Sequence, residues 1–86
     1  MIFDNKRCEI EILYEMLQAS TNNIKKTTLL YRSNLCYNHF KYYMNFLLKN
    51  ELISYENNNG SNGYQITEKG VESLKIMNKL LQTLKA

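Results

Sequence analysis

Apolar residues recur at helical spacing in four stretches of the chain and alternate at period two in two more. Ile10, Leu13 and Leu17 repeat at intervals of 3 and 4, and Ile12 and Met16 widen their stripe. Glu9, Glu11 and Glu15 fall largely on the other side. The pattern predicts a helix to about Ala19, with Asp4 as its N-cap and Phe3 and Cys8 placed for a hydrophobic staple. Ser20-Thr21-Asn22-Asn23 breaks it, because short polar side chains compete for backbone hydrogen bonds. Ile24 is a candidate stub of strand. A short helix follows from about Lys26 to Arg32, with Leu29 and Leu30 inward. Ser33-Asn34 reads as a turn, and Leu35 as the residue that plugs it against the core. A longer helix runs from about Tyr37 to Asn50, with Phe40, Tyr43 or Met44, Leu47 and Leu48 as its inner stripe.

Ile53-Ser54-Tyr55-Glu56 and Tyr64-Gln65-Ile66 alternate as strands do. The Asn- and Gly-rich stretch between them, Asn57 to Gly63, suits a hairpin connection, since both residue types tolerate positive φ. Thr67 then caps a last helix, with Ile66 and Val71 at staple positions. Gly70 in its first turn costs about 1 kcal/mol relative to Ala, which a close backbone approach would explain. Leu74, Met77, Leu81 and Leu84 are spaced 3, 4, 3, a two-heptad seam. Ile76 and Leu80 form a second apolar line. One line can cover the domain's own first helix, and the surplus suggests a partner helix. The seam Leu74, Met77, Leu81, Leu84 is the expected dimer interface, with ordinary core as the alternative.

The order helix, helix, turn, helix, hairpin, helix predicts a mainly α (α+β) fold, a winged helix-turn-helix. Residues 1–66 form the domain and residues 67–86 a C-terminal helix that packs on it and pairs with a second copy. At 86 residues the chain makes one domain with a limited core, so its stability is marginal unless it oligomerises. No apolar run approaches the roughly 20 residues that span a bilayer. The beginning, MIFDNKR, lacks a signal-peptide layout, and a cytoplasmic location is expected. Cys8 and Cys36 are far apart and lack C-x-x-C spacing. Two reduced cysteines are the plain reading, with a disulfide or metal site as the alternative.

Charge changes the picture. Between Glu15 and Glu51 lie Lys25, Lys26, Arg32, Lys41 and Lys49 and no acidic residue, while the rest of the chain holds six basic and eight acidic residues. A net charge of +3 thus hides a segregated one. One sign on one surface is what attracts a polyanion. In a winged helix-turn-helix the third helix enters the DNA major groove and the wing lies beside it. On that reading Lys25, Lys26, Thr27 and Arg32 position the phosphate backbone, with Ser33 and Asn34 at the turn. Asn38 and Asn45 suit adenine edges, and Lys41 guanine or phosphate. His39 stands alone as a surface or DNA-facing residue. Tyr37 and Tyr42 are DNA contacts or packing residues. Asn58, Asn59 and Ser61 at the wing tip carry no charge and offer modest hydrogen bonding. An enzyme is excluded for want of a paired-carboxylate cleft, a nucleophile with its base, or a Gly-rich phosphate loop. No cofactor, metal or small-molecule ligand is called for. The rival reading is a winged helix used as a protein-interaction module without DNA binding. The segregated charge argues against it.

The stretches KTTLLYRSNLCY (Lys26 to Tyr37), YMNFLLKNELI (Tyr43 to Ile53) and YQITEKG (Tyr64 to Gly70) carry a resemblance. With the last helix they cover most of the chain. The sequence resembles the short archaeal winged-helix DNA-binding proteins that end in an antiparallel coiled coil, first described as Sulfolobus chromatin-associated proteins. The strand ending in T-E-K-G is common among winged-helix regulators. The N-L-x-Y turn followed by Y-M-x-x-L-L is more specific. Cys36 departs from the pattern, which expects Ser as the helix cap. The resemblance implies a homodimer, double-stranded DNA as partner, and a transcriptional-regulatory or chromatin-architectural role in the nucleoid. It implies no catalysis and no cofactor.

Overall fold

A computed structural model describes residues 9–58 and 61–85. Its elements are α1 (Glu9–Ala19), α2 (Lys26–Ser33), α3 (Tyr37–Lys49), β1 (Ile53–Asn58), β2 (Ser61–Ile66) and α4 (Glu68–Lys85). The helix-turn-helix and the hairpin outlined by the sequence are both present. The expected Asp4 cap and the Phe3–Cys8 staple lie outside the described residues.

The core is built by α1, α2, α3 and the hairpin around Ile12, Met16, Leu17, Leu29, Phe40, Met44, Leu47, Leu52, Ile53 and Ile66. On α1 the buried centre is Ile12, Met16 and Leu17, while Ile10 and Leu13 are half-buried, so the helix is rotated slightly from the expected stripe. On α3 the expected stripe holds, with Phe40, Met44 and Leu47 buried and Tyr43 and Leu48 at its margins. Asn34 makes the turn between α2 and α3 by adopting the left-handed conformation, φ 56° and ψ 34°, which Asn tolerates better than most residues. Leu35 packs behind it against the core.

Ile24 is the expected strand stub. Its N–H donates to the Tyr64 carbonyl at 3.0 Å, and the Tyr64 N–H donates back at 2.8 Å. It therefore adds one antiparallel bridge to the free side of β2. Gly63 lies against this stub, and a Cβ there would collide with the Ile24 backbone. The hairpin is longer than its alternating pattern suggests. Pairing runs from Ile53↔Ile66 to Asn58↔Ser61, so most of the Asn-rich stretch is strand and only residues 59 and 60 connect the strands. Cross-strand hydrogen bonding overrides the low strand propensity of Asn.

Thr67 begins α4 as predicted. Its hydroxyl accepts the Gly70 N–H at 3.0 Å and donates to the Glu51 carbonyl at 2.7 Å, tying the helix start to the entry of β1. A Cβ on Gly70 would fall on the Leu52 carbonyl oxygen, which is the close approach that the glycine serves. Further along, α4 packs on α1, and the Tyr14 hydroxyl donates to the Asn78 side-chain oxygen at 3.2 Å.

Within the single chain this packing engages three of the four positions of the expected dimer seam. Leu81 is only 8% exposed, and Leu74 and Met77 are half-buried against the domain's own core. Leu84, 65% exposed, remains outside together with Ile76, 69% exposed, and Leu80. The uncovered line is thus Ile76, Leu80, Leu84, at i, i+4, i+8. No described helix is long and apolar enough to cross a membrane.

Candidate nucleic-acid interface

The side of α3 opposite its core stripe is open to solvent along its whole length. Asn38, His39, Lys41, Tyr42, Asn45, Phe46 and Lys49 are all exposed there. At about 1.5 Å per residue this face is about 20 Å long, enough to lie along a major groove about 12 Å wide. α2 and α3 contain no acidic residue. The face therefore offers amide and ammonium donors without a carboxylate to repel an anion.

Helix α2 divides its exposed residues between two sides. Lys26 and Thr27 lie toward the start of α3. The Lys26 ammonium sits 5.5 Å from the centre of the Tyr37 ring, a cation–π contact that holds a positive charge at the start of α3. Lys25 precedes it in extended conformation and is exposed. Arg32 is exposed on the other side, where it lines the cleft against α1 with Glu15, Gln18 and Ala19. It stands apart from the Lys26–Tyr37 pair.

Ser33 is turned inward. It is 4% exposed, and its hydroxyl donates to the Leu30 carbonyl at 2.7 Å. Asn34, next to it, is exposed. Tyr37 and Tyr42 are exposed rather than packed, at 50% and 62%. Of the wing-tip residues, Asn58 and Ser61 end the paired strands, and Asn59 lies outside the described residues. Cys36 occupies the N-cap of α3 with the extended backbone a cap needs and makes no side-chain cap hydrogen bond.

Sequence reasoning missed two aromatic residues. Tyr31 on α2 is 86% exposed and lines a shallow groove with Thr27, Leu30, Asn34, Leu35 and Cys36. Phe46 on α3 is exposed one turn beyond Tyr42. The spacing of four residues from Tyr42 was the signal that could have found Phe46. Among the described residues no group of three or more His, Cys, Asp or Glu is placed to hold a metal ion.

A family model described as winged helix-turn-helix matches residues 6–85. An uncharacterized protein of Methanocaldococcus jannaschii is 43% identical over 49 residues. That match takes in 56% of this chain and 23% of the relative, so the chain matches less than a quarter of the relative's length. Among solved structures, Sso10a-2, a DNA-binding protein from Sulfolobus solfataricus, superposes with a TM-score of 0.81 at 22% identity, over 92% of this chain and 83% of that one. F-93 of SSV1 superposes with a TM-score of 0.70 at 16% identity, over 94% of each chain. At such identities these likenesses speak for the fold.

Proposed function

The chain belongs to the winged helix-turn-helix family, and from that premise we propose that it binds double-stranded DNA with α3 in the major groove. The observation that carries this reading is the outer face of α3, open along its length and bearing Asn38, Lys41, Asn45 and Lys49 with no acidic residue. The fold neighbour Sso10a-2, itself described as DNA-binding, supports it. Asn38, Asn45 and Lys41 read base edges. Lys25, Lys26, Thr27 and Arg32 hold phosphates, Arg32 from the α1 side of α2. Asn34, Tyr37 and His39 border the face, and the wing supplies weak uncharged contacts through Asn58, Asn59 and Ser61.

We infer further that two copies pair through Ile76, Leu80 and Leu84. These three side chains lie in water on the single chain, and burying each is worth roughly 1.5–3 kcal/mol. A two-fold pair presents two reading helices to half-sites about one DNA turn, or a multiple of it, apart. Such a protein serves as a regulator or as an architectural component of the nucleoid. The test is fluorescence anisotropy on a labelled random duplex across a salt series. Binding should weaken steeply with salt, with a log–log slope that reports the number of phosphates neutralised. Retention of full affinity for every duplex by the Asn38→Ala, Lys41→Ala protein would rule out α3 as the reader.

A further inference from the structure

Phe46 is out of place on the face described above. A helix that turns amides and ammonium groups outward also leaves this ring 44% exposed. Phe has no polar tip, so nothing in water compensates that exposure. Tyr42 lies one turn before it, 62% exposed. Its ring is braced edge-on by the half-buried Tyr43, with centroids 5.2 Å apart and planes at 80°. Two aromatic surfaces thus stand in a row on the outer face, about one helical turn of 5.4 Å apart. That separation falls between one and two steps of about 3.4 Å along a DNA strand.

A major groove presents donors and acceptors at every base pair and one apolar feature, the 5-methyl group of thymine. From this we propose that Tyr42 and Phe46 seat pyrimidine 5-methyl groups, so that the protein favours thymine-rich duplex. The inference rests on the DNA-binding reading above. A protein partner for the two rings is the competing occupant. The surroundings favour DNA: Asn38, Lys41, Asn45 and Lys49 flank the rings, and neither α2 nor α3 carries a carboxylate. Asn in particular matches the adenine that pairs with each thymine. The rings and the amides then read the two halves of one A·T pair.

The methyl group can be removed or added without touching the hydrogen-bonding edges. Affinities of the full chain are measured for alternating dA-dT against dA-dU duplexes, and for alternating dG-dC against its 5-methyl-dC form, at one low salt concentration. The methylated member of each pair should bind about fourfold to about fifteenfold tighter, for one or two methyl groups buried at the usual transfer free energy. This comparison uses the unaltered protein, so it does not depend on any variant folding. Phe46→Ala should lower the ratio, and Tyr42→Ala with Phe46→Ala should bring it near one, in proteins whose thermal unfolding is checked alongside. Equal binding within both pairs overturns the inference while leaving DNA binding intact. A ratio unchanged in the folded double variant overturns the assignment to these rings. An unchanged ratio joined to a lower sedimenting mass assigns Phe46 to a protein contact instead. Failure to bind any of the four duplexes removes the DNA-binding reading and this inference with it.

Discussion

Helices α3 and α4 solve the same problem and leave different remainders. Each gives one side to the core. α3 buries Phe40, Met44 and Leu47, and α4 turns in Leu74, Met77 and Leu81. On α3 the outer side holds amides, lysines and two rings under charge of one sign. On α4 it holds Ile76, Leu80 and Leu84, set among Glu68, Lys69, Glu72, Lys75 and Lys79, which mix signs. A face of one sign meets a polyanion well and a copy of itself badly. An apolar line between charges of both signs does the reverse. Amphipathicity alone does not distinguish the two helices; what their outer sides carry does.

The sharpest way to break the comparison is to place charge on each side of α4 in turn. Leu81→Asp buries a carboxylate without a partner and should cost about 4 kcal/mol or more, abolishing folding in a domain this small. Ile76→Asp with Leu80→Asp should yield a monomer by sedimentation that still folds, with thermal unfolding lowered only by the lost contribution of pairing. Equal loss of folded protein in both would erase the distinction between the two sides. Gly70→Ala comes next. Helix propensity would return about 1 kcal/mol, yet the new methyl meets the Leu52 carbonyl and the Ile66 side chain. The variant should be less stable by a net ~2 kcal/mol in urea unfolding, as for other overpacked positions.

On α3, Lys41→Ala should alter the preference between duplexes, while Lys26→Ala should reduce the salt slope of duplex binding by about one with less change in sequence preference. The smallest effect lies at the N-cap. Cys36→Ser offers a hydroxyl to an N–H of the first turn in a backbone already suited to it, φ −67° and ψ 158°. Thermal unfolding should show a gain of about 0.5–1 kcal/mol.

Much of this was legible in the sequence because local rules and tertiary packing agree. Thr67 is a cap by chemistry and by contact. Gly70 is costly in a helix unless something approaches it, and Leu52 does. The inner stripe of α3 has one solution. On α4 periodicity offers two apolar lines of similar strength, and the one that packs is decided by the placement of α1, which no local pattern records. Ser33 reads as a polar turn residue, yet it is buried because the Leu30 carbonyl satisfies its hydroxyl. The strands reach into the Asn-rich stretch because Asn57 and Asn58 pair with Asn62 and Ser61 across the ladder, a non-local gain.

The bridge between Ile24 and Tyr64 has a kinetic side. It joins the ends of a loop that contains α2, α3 and β1. Closing so long a loop costs entropy before its two hydrogen bonds return anything. Contacts within α2–turn–α3 and within the β1–β2 hairpin are short-range and form without that cost. The helix-turn-helix should therefore be organised early, and the seam at Ile24 should close late and open first. In native-state hydrogen exchange the Ile24 and Tyr64 amides should exchange through small openings, while those of Met44 and Leu47 exchange only on global unfolding.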